Sequence, residues 1–309
     1  MTLARSLFTV VFVSSALLDV GCSLISLDDL HSGATTGAGS GGASSSSQSS
    51  STFTSTAASS GQGSTSTGAM TTSSGTGGAA SKTYSEEVLA DGPIAYYRLA
   101  EGSSSSPAVD VIAALDGTYS GTLTVGAASP LQSEPADKAV LFGGGQVLVA
   151  HPEVVIAEAP SSFEAWARTT TIDANHRALI DVEWAAATPG QKQGTRLYVT
   201  TFLGAPSVLY GRTFEASNQD LSTGYPADGA YHHLVGTYDG TSGLCIYVDG
   251  TPTCQTLAKI TMTGSGSSAV IGARPFGSSS DSFRGSIDEV AFYDKALSAA
   301  RVLAHFKAR

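Results

Sequence analysis

Residues 84–309 read as an all-β domain, a two-sheet antiparallel β-sandwich closed by a short C-terminal helix. Three observations lead there. Short apolar runs recur from Tyr84 onward between Gly, Pro, Ser and Asp, and many alternate apolar with polar residues, the period of a half-buried strand. Helical periodicity is nearly absent before the last dozen residues, so no crossover helices are available for a parallel α/β sheet. One run, Leu244 to Cys254, also folds on paper into a hairpin residue by residue.

In chain order, the expected strands are Ala95–Leu99, Ala139–Phe142, Gln146–Ala150, Ser161–Arg168, Ala178–Trp184, Arg196–Phe202, Ser207–Phe214, His232–Tyr238, Leu244–Val248, Thr253–Ala258, Ser268–Gly272 and Phe283–Tyr293. So many short strands in one region suit a sandwich or jelly roll. In the hairpin, Asp249-Gly250 is a two-residue turn, because both positions tolerate positive φ. That centre pairs Val248 with Thr251, Tyr247 with Pro252 and Cys245 with Cys254. The 247/252 and 245/254 pairs are then the non-hydrogen-bonded ones, so Pro252 needs no ladder donor. The close spacing suits a Cys245–Cys254 disulfide, which closes a short loop and locks local geometry. Two free thiols, or a bulged register, is the competing reading. His232 and His233 are adjacent in a strand and face opposite ways, so they read as packing or hydrogen-bonding groups and not as ligands of one metal. The chain closes with a helix capped by Ser298, with Leu297 stapled against Val302 and an apolar stripe of Val302, Leu303 and Phe306. That helix is expected at a sheet edge, or sealing the first and last strands.

Ahead of the sandwich the chain changes character. Residues 1–21 have the form of an export signal, with Arg5 as the only n-region charge and a 12-residue apolar stretch from Leu7 to Leu18. That stretch is short for a bilayer span. Leu18-Asp19-Val20-Gly21-Cys22 resembles the lipobox of bacterial lipoproteins, with Asp19 where that family has Leu. The resemblance implies lipidation of Cys22, and Ser23 after it implies the outer membrane. Ordinary cleavage near Ala16 or Gly21 is the alternative. With three Cys in the chain, pairing two of them leaves Cys22 over. Residues 22–83 form a Ser/Thr/Gly-rich tether. Its residues 32–81 carry no Lys, Arg, Asp or Glu and too few apolar side chains to form a core. A coil of that length spans roughly 40 Å. Residues 82–309 hold 15 Lys and Arg against 23 Asp and Glu, a formal charge of −8. That balance and the absence of a basic, aromatic-interleaved cluster argue against a nucleic-acid partner.

Several segments together resemble the bacterial laminin-G-like, concanavalin-like domains. Phe163-Glu164-Ala165-Trp166 is similar to their F-x-x-E-A-W strand, and Tyr231 to Gly240 to their W-x-H-v-v-x-T-Y-D-G strand and turn. Tyr247-Val248-Asp249-Gly250 matches the next hairpin, Phe283 to Tyr293 the F-x-G-x-I-D-E-V-x-i-Y strand, and Ala296-Leu297-Ser298 the opening of the terminal helix. Tyr96 to Leu99, Asp116 to Tyr119 and Ala139 to Phe142 fit the early strands, so the likeness runs over about 84–307 in order. It implies a concanavalin-like jelly roll that binds or adheres at the bacterial cell envelope, as an outer-membrane lipoprotein or an extracellular protein. The implied partners are an extracellular polysaccharide or a surface protein, and a membrane through the lipid anchor.

The same likeness implies calcium at the sandwich edge, carried over to Asp110 and Asp288, although the family's Gly-Asn-Gly turn is here Ile112-Ala113-Ala114. A glycan site needs aromatic faces in a shallow concavity, and Trp184, Tyr210, Phe214, Tyr225 and Phe276 all lie near loops. Glycoside hydrolases of this general fold place two carboxylates four residues apart on one strand. The nearest run, Leu179-Ile180-Asp181-Val182-Glu183, has Leu where the first should stand. No Gly-x-Ser-x-Gly elbow or His-Glu-x-x-His site occurs either. A binding or adhesion module, possessing no catalytic residue, is the expected function. A purely structural or protein-contact role is its rival.

Overall fold

The structure is a computed structural model. It describes residues 81–154, 159–186, 193–214, 217–259, 261–262, 264–274 and 279–309. The export signal, Cys22 and all but the last residues of the tether lie outside the described residues. The described elements are α1 (Tyr84–Ala90), β1 (Ala95–Tyr97), β2 (Thr118–Ser120), β3 (Leu123–Ala128), β4 (Lys138–Gly143), β5 (Gln146–Val149), β6 (Ser161–Arg168), β7 (Arg177–Ala186), β8 (Gln193–Phe202), β9 (Ala205–Phe214), β10 (Ser217–Gly224), β11 (His232–Tyr238), β12 (Gly243–Val248), β13 (Thr251–Thr256), β14 (Gly264–Ile271), β15 (Arg284–Tyr293) and α2 (Ala299–Lys307). None of the described helices is long and apolar enough to cross a membrane.

The strands form two antiparallel sheets. Sheet I runs β13-β12-β11-β6-β15-β4-β3, with β1 added to β15, and sheet II runs β10-β9-β8-β7-β14-β5-β2. The expected hairpin has the expected register: Cys245 lies opposite Cys254, Tyr247 opposite Pro252 and Val248 opposite Thr251. The two cysteines are bonded, with their Cα atoms 4.1 Å apart. Asp249 and Gly250 both take the positive φ that such a turn needs.

Alternation along each strand sends one set of side chains into the space between the sheets. Phe163 of β6 meets Tyr210 of β9 edge to face at 6.2 Å, and meets Phe292 of β15 at 5.5 Å. The Tyr210 ring lies directly against Gly236 of β11, where a Cβ would come within 2.3 Å of it. Only a residue without a side chain leaves room for that ring.

Sheet I is covered on its other face as well. Tyr84 and Val88 of α1, Leu297 and Val302 beside and on α2, and Trp166, Val235, Tyr247 and Tyr293 of the strands make a second apolar cluster. Phe306 stacks on Trp166 at 5.9 Å. The terminal helix, capped by Ser298 as expected, therefore lies over the face of sheet I and not along an edge. The reason is β6, whose side chains are buried on both faces up to Ala167.

Helix α1 was not foreseen, although Thr83 and Glu86 form a capping box at its start. Strands β3 and β10 were likewise outside the expected set, and β2 was anticipated only through the resemblance of Asp116 to Tyr119 to an early strand. Strand β3 alternates only between half-buried and exposed positions. Edge strand β10 is polar except for Leu221 and pairs only with β9, so it carries little hydrophobic alternation to read.

Glu164 is wholly buried under the helices. It accepts from Tyr293 Oη at 2.6 Å, and His305 Nδ1 and His233 Nε2 lie 3.0 and 3.3 Å away. His305 Nε2 meets Asp91 at 2.9 Å, and Arg301 bridges to Asp91 at 2.7 Å and to Glu87. Burial alone would raise the Glu164 carboxyl, but the charge of His305 and hydrogen bonds from both histidines hold it well below the usual carboxylate range. Burial opposes charge on His305 too, yet Glu164 and Asp91 outweigh it and raise its pKa. His232, facing the other way, sits between Asp249 at 2.8 Å and Asp228 at 3.0 Å, and those two carboxylates raise it against the opposing effect of burial.

Two predictions follow from this packing. Gly236→Ala should cost about 1–3 kcal/mol through overpacking against Tyr210, read as a lower urea midpoint. A histidine with a raised native pKa stabilises fully below its unfolded value of about 6.5, and that contribution is lost as pH rises through the native value. Stability should therefore fall on going from pH 6 to about pH 9. His305→Gln should flatten part of that slope, leaving the share due to His232, in urea titrations at each pH.

Candidate functional site

Strand β15 builds the most unusual polar site of the domain. Ile287 and Val290 are in the core between the sheets. Strict alternation from Ile287 would send Glu289 inward and Val290 outward. Instead the register of β15 against β6 shifts between Asp288 and Ala291, and Glu289 takes φ of 53°. This bulge turns two consecutive carboxylates, Asp288 and Glu289, toward the same outer side of sheet I. Asp137, just before β4, joins them, and the three offer oxygens within 4.8 Å of one another.

All three are buried. Asp137 accepts from Ser129 Oγ at 2.7 Å. Glu289 accepts from Tyr96 Oη. Arg98 is shared, reaching Glu134 at 2.7 Å and Asp137 and Glu289 at 3.0 Å each. Asp288 Oδ1 accepts from the Glu289 backbone N–H at 3.1 Å, whereas Asp288 Oδ2 is buried without a hydrogen-bond partner. Three carboxylates thus share one guanidinium, and Asp288 stands beside them without it. Burial and then the charge of Asp137 push the Asp288 carboxyl well up, and burial does the same to Glu289. A cavity of about 340 Å3, lined by Arg98, Ala100, Glu134, Pro135, Ala136 and Asp137, opens beside the cluster.

The residues expected from sequence fare unevenly. Asp288 is in the cluster. Asp110 is not: its Oδ1 accepts from the N–H groups of Tyr96 and Ile112, at 2.8 and 3.1 Å, and its Oδ2 from those of Ala113 and Leu115, at 2.9 and 3.1 Å. Four N–H dipoles occupy its lone pairs, so the Ile112-Ala113-Ala114 segment wraps Asp110 as a loop cap and leaves nothing for a cation. Tyr210 is wholly buried and Tyr225 nearly so, edge-on to His232 at 5.4 Å, so neither ring is open to a sugar from solvent. Strand β9 sends Tyr210 inward with Val208, and its neighbours Leu209 and Gly211 offer no polar contrast to mark that direction. Trp184 and Phe214 both lie opposite Gln193, in one row across β7, β8 and β9; their side chains, and Phe276 entirely, lie outside the described residues. Asp181 is wholly buried between Arg196 and Arg274, 3.5 and 3.4 Å away, while Leu179 is in the core. No signal in the alternation marked Glu289 or Asp137; the Asp-Glu pair itself was the available hint.

A laminin-G family model, described as the concanavalin A-like lectin/glucanases superfamily, matches residues 142–303, just over half of the chain. The chain belongs to this superfamily. Among solved structures, it is similar to domain 4 of AbnA, a GH43 extracellular arabinanase from Geobacillus stearothermophilus solved in complex with arabinotriose, at 17% identity and TM-score 0.51. That match covers 68% of this chain and 96% of the other. It is also similar to the binding domain of botulinum neurotoxin serotype G, at 11% identity and TM-score 0.51, over 70% of this chain and 50% of that one. At these identities the likeness is one of fold. No curated protein matches the sequence. Within the superfamily frame, the acidic cluster lies on the outer face of sheet I, with two of its carboxylates on the strand that bears the late Ile-Asp-Glu segment.

The cluster yields a prediction of definite sign. An acid whose native pKa is raised loses stability as pH climbs from its unfolded value, about 3.9 for Asp, toward the native one. Asp288→Asn, measured in EDTA, should therefore melt above the wild type at pH 7 and converge with it near pH 4. A lower melting temperature at pH 7 would show that the ionised carboxylate is compensated in the native fold.

Proposed function

We propose that the protein is a non-catalytic binding module for carbohydrate, displayed at the cell envelope and assisted by calcium. The observation that carries the reading is the buried Asp288 Oδ2, without a hydrogen-bond partner, in a cluster with Asp137 and Glu289. A hard cation takes carboxylate oxygens, and a lone guanidinium does not balance four of them. Asp137, Asp288 and Glu289 are the residues that would hold calcium, and Arg98 competes with it for Asp137 and Glu289. When bound, the ion would neutralise the cluster and supply a hard cation that favours oxygen donors such as hydroxyls. The superfamily's lectin character, and the arabinotriose held by AbnA domain 4, support carbohydrate as the ligand class. The absence of a carboxylate at Leu179 and the ion pairing of Asp181 speak for binding without hydrolysis. Cys22 would be the lipid-bearing residue, with the Ser/Gly-rich segment holding the sandwich off the membrane.

The test is a glycan array probed with the full chain, in millimolar calcium and in EDTA. The expected result is a set of oligosaccharides retained in calcium and released in EDTA, with calcium affinity of roughly 0.1–1 mM. Calcium should also raise the melting temperature of the wild type and leave that of Asp288→Asn unmoved. A chain that retains no saccharide under either condition is not a carbohydrate-binding module.

A further inference from the structure

A second cavity, of about 390 Å3, opens where the ends of β4 and β6 meet the start of β15. It is lined by Arg168, Thr170, Thr171, Arg284, Ser286 and Leu141 among others. Its two arginines are exposed. Elsewhere in this acidic domain, Arg98, Arg177, Arg196, Arg274 and Arg301 each face a carboxylate. Among the described residues, Arg168 and Arg284 face none; Arg168 only lies over the Tyr231 ring, 5.5 Å from its centre. Among the described residues, these two guanidinium groups, neither of which faces a carboxylate, thus share one cavity.

The cavity is also held in shape. Thr169 Oγ1 donates to the Arg284 carbonyl at 2.5 Å, and accepts from the Thr171 backbone N–H at 3.0 Å. Gly285 takes φ of 151°, and a Cβ on it would lie 2.1 Å from the Arg168 carbonyl oxygen. The two strand segments bearing the arginines are thus pressed together, and their separation does not depend on flexible side chains alone. Ser286 stands opposite Arg168 and lies two residues before Asp288 on the same strand. That puts the cavity about 7 Å along β15 from the acidic cluster.

We propose that this cavity takes the anionic substituent, a carboxylate or a sulfate ester, of an acidic saccharide. The inference rests on the carbohydrate-binding reading above. Guanidinium groups match such planar or tetrahedral oxyanions with charge-assisted hydrogen bonds. The threonine and serine hydroxyls suit the sugar hydroxyls around the charge. The domain's negative charge does not forbid this: charges more than about 8 Å away are largely screened at physiological salt, and the acidic cluster, which is nearer, is neutralised by calcium in the reading above.

The experiment is affinity electrophoresis of the full chain, in calcium, through gels holding polygalacturonate, dextran sulfate, or neutral arabinan or dextran. Arg168→Gln/Arg284→Gln is compared with wild type and with Lys307→Gln, an exposed cation on α2 that does not line the cavity. The expected result is retardation by at least one anionic polymer. That retardation should weaken by about tenfold or more in the double variant. It should persist in Lys307→Gln, with unchanged melting temperatures. Retardation by polygalacturonate alone identifies a uronate, and by dextran sulfate alone a sulfate ester. Equal retardation by neutral polymers, an unaffected double variant, or an equal loss in Lys307→Gln overturns the cavity as the anion site while leaving carbohydrate binding in place. Binding to no polymer here, together with an empty glycan array, overturns both.

Discussion

Glu164 is a carboxylate with no exposed surface in the middle of an eight-stranded sheet, and much of the outer face of sheet I follows from compensating it. An ionised group in that position is tolerable only with partners of opposite charge and satisfied lone pairs. His305 and Tyr293 supply them from α2 and β15, and His233 from the neighbouring strand. Asp91 and Arg301 extend the network to the end of α1. The apolar cluster around Trp166 seals the assembly from water. Both terminal helices are therefore fastened by one buried network, and β6 is covered on both faces.

The hairpin at Asp249-Gly250 was legible because three local rules agreed. A turn residue pair, a proline and two cysteines each allow only some registers, and they share one. Most other strands were legible from alternation, and Ser161–Arg168 and His232–Tyr238 match their strands end to end. Where alternation failed, it failed for physical reasons. The bulge at Glu289 breaks the period of two, so a carboxylate that should face inward faces out. Tyr210 looks like a loop-proximal aromatic until Gly236, far away in sequence, is seen to make its pocket. Asp110 looks like a ligand until its four backbone donors are counted. Long-range pairings of this kind are not written in any short window of sequence.

The two sites lie on one strand and have opposite charge. Acidic Asp288 and Glu289 sit at the middle of β15, and Arg284 opens it. The acidic end and the guanidinium end of this pair are separated by only a few residues. The strained glycine at 285 and the bulge at 289 are the two departures from regular strand geometry in β15, and each of them shapes one of these ends.

The chain enters the sandwich through α1, and α1 is joined to α2 by Arg301, which grips both Glu87 and Asp91. Tension arriving from the N-terminal side would therefore reach this helix pair before it reaches any strand. The ion pairs and the rings around Trp166 would bear such a load in shear, as a clutch does, and the sheets behind them would not be unzipped from an edge.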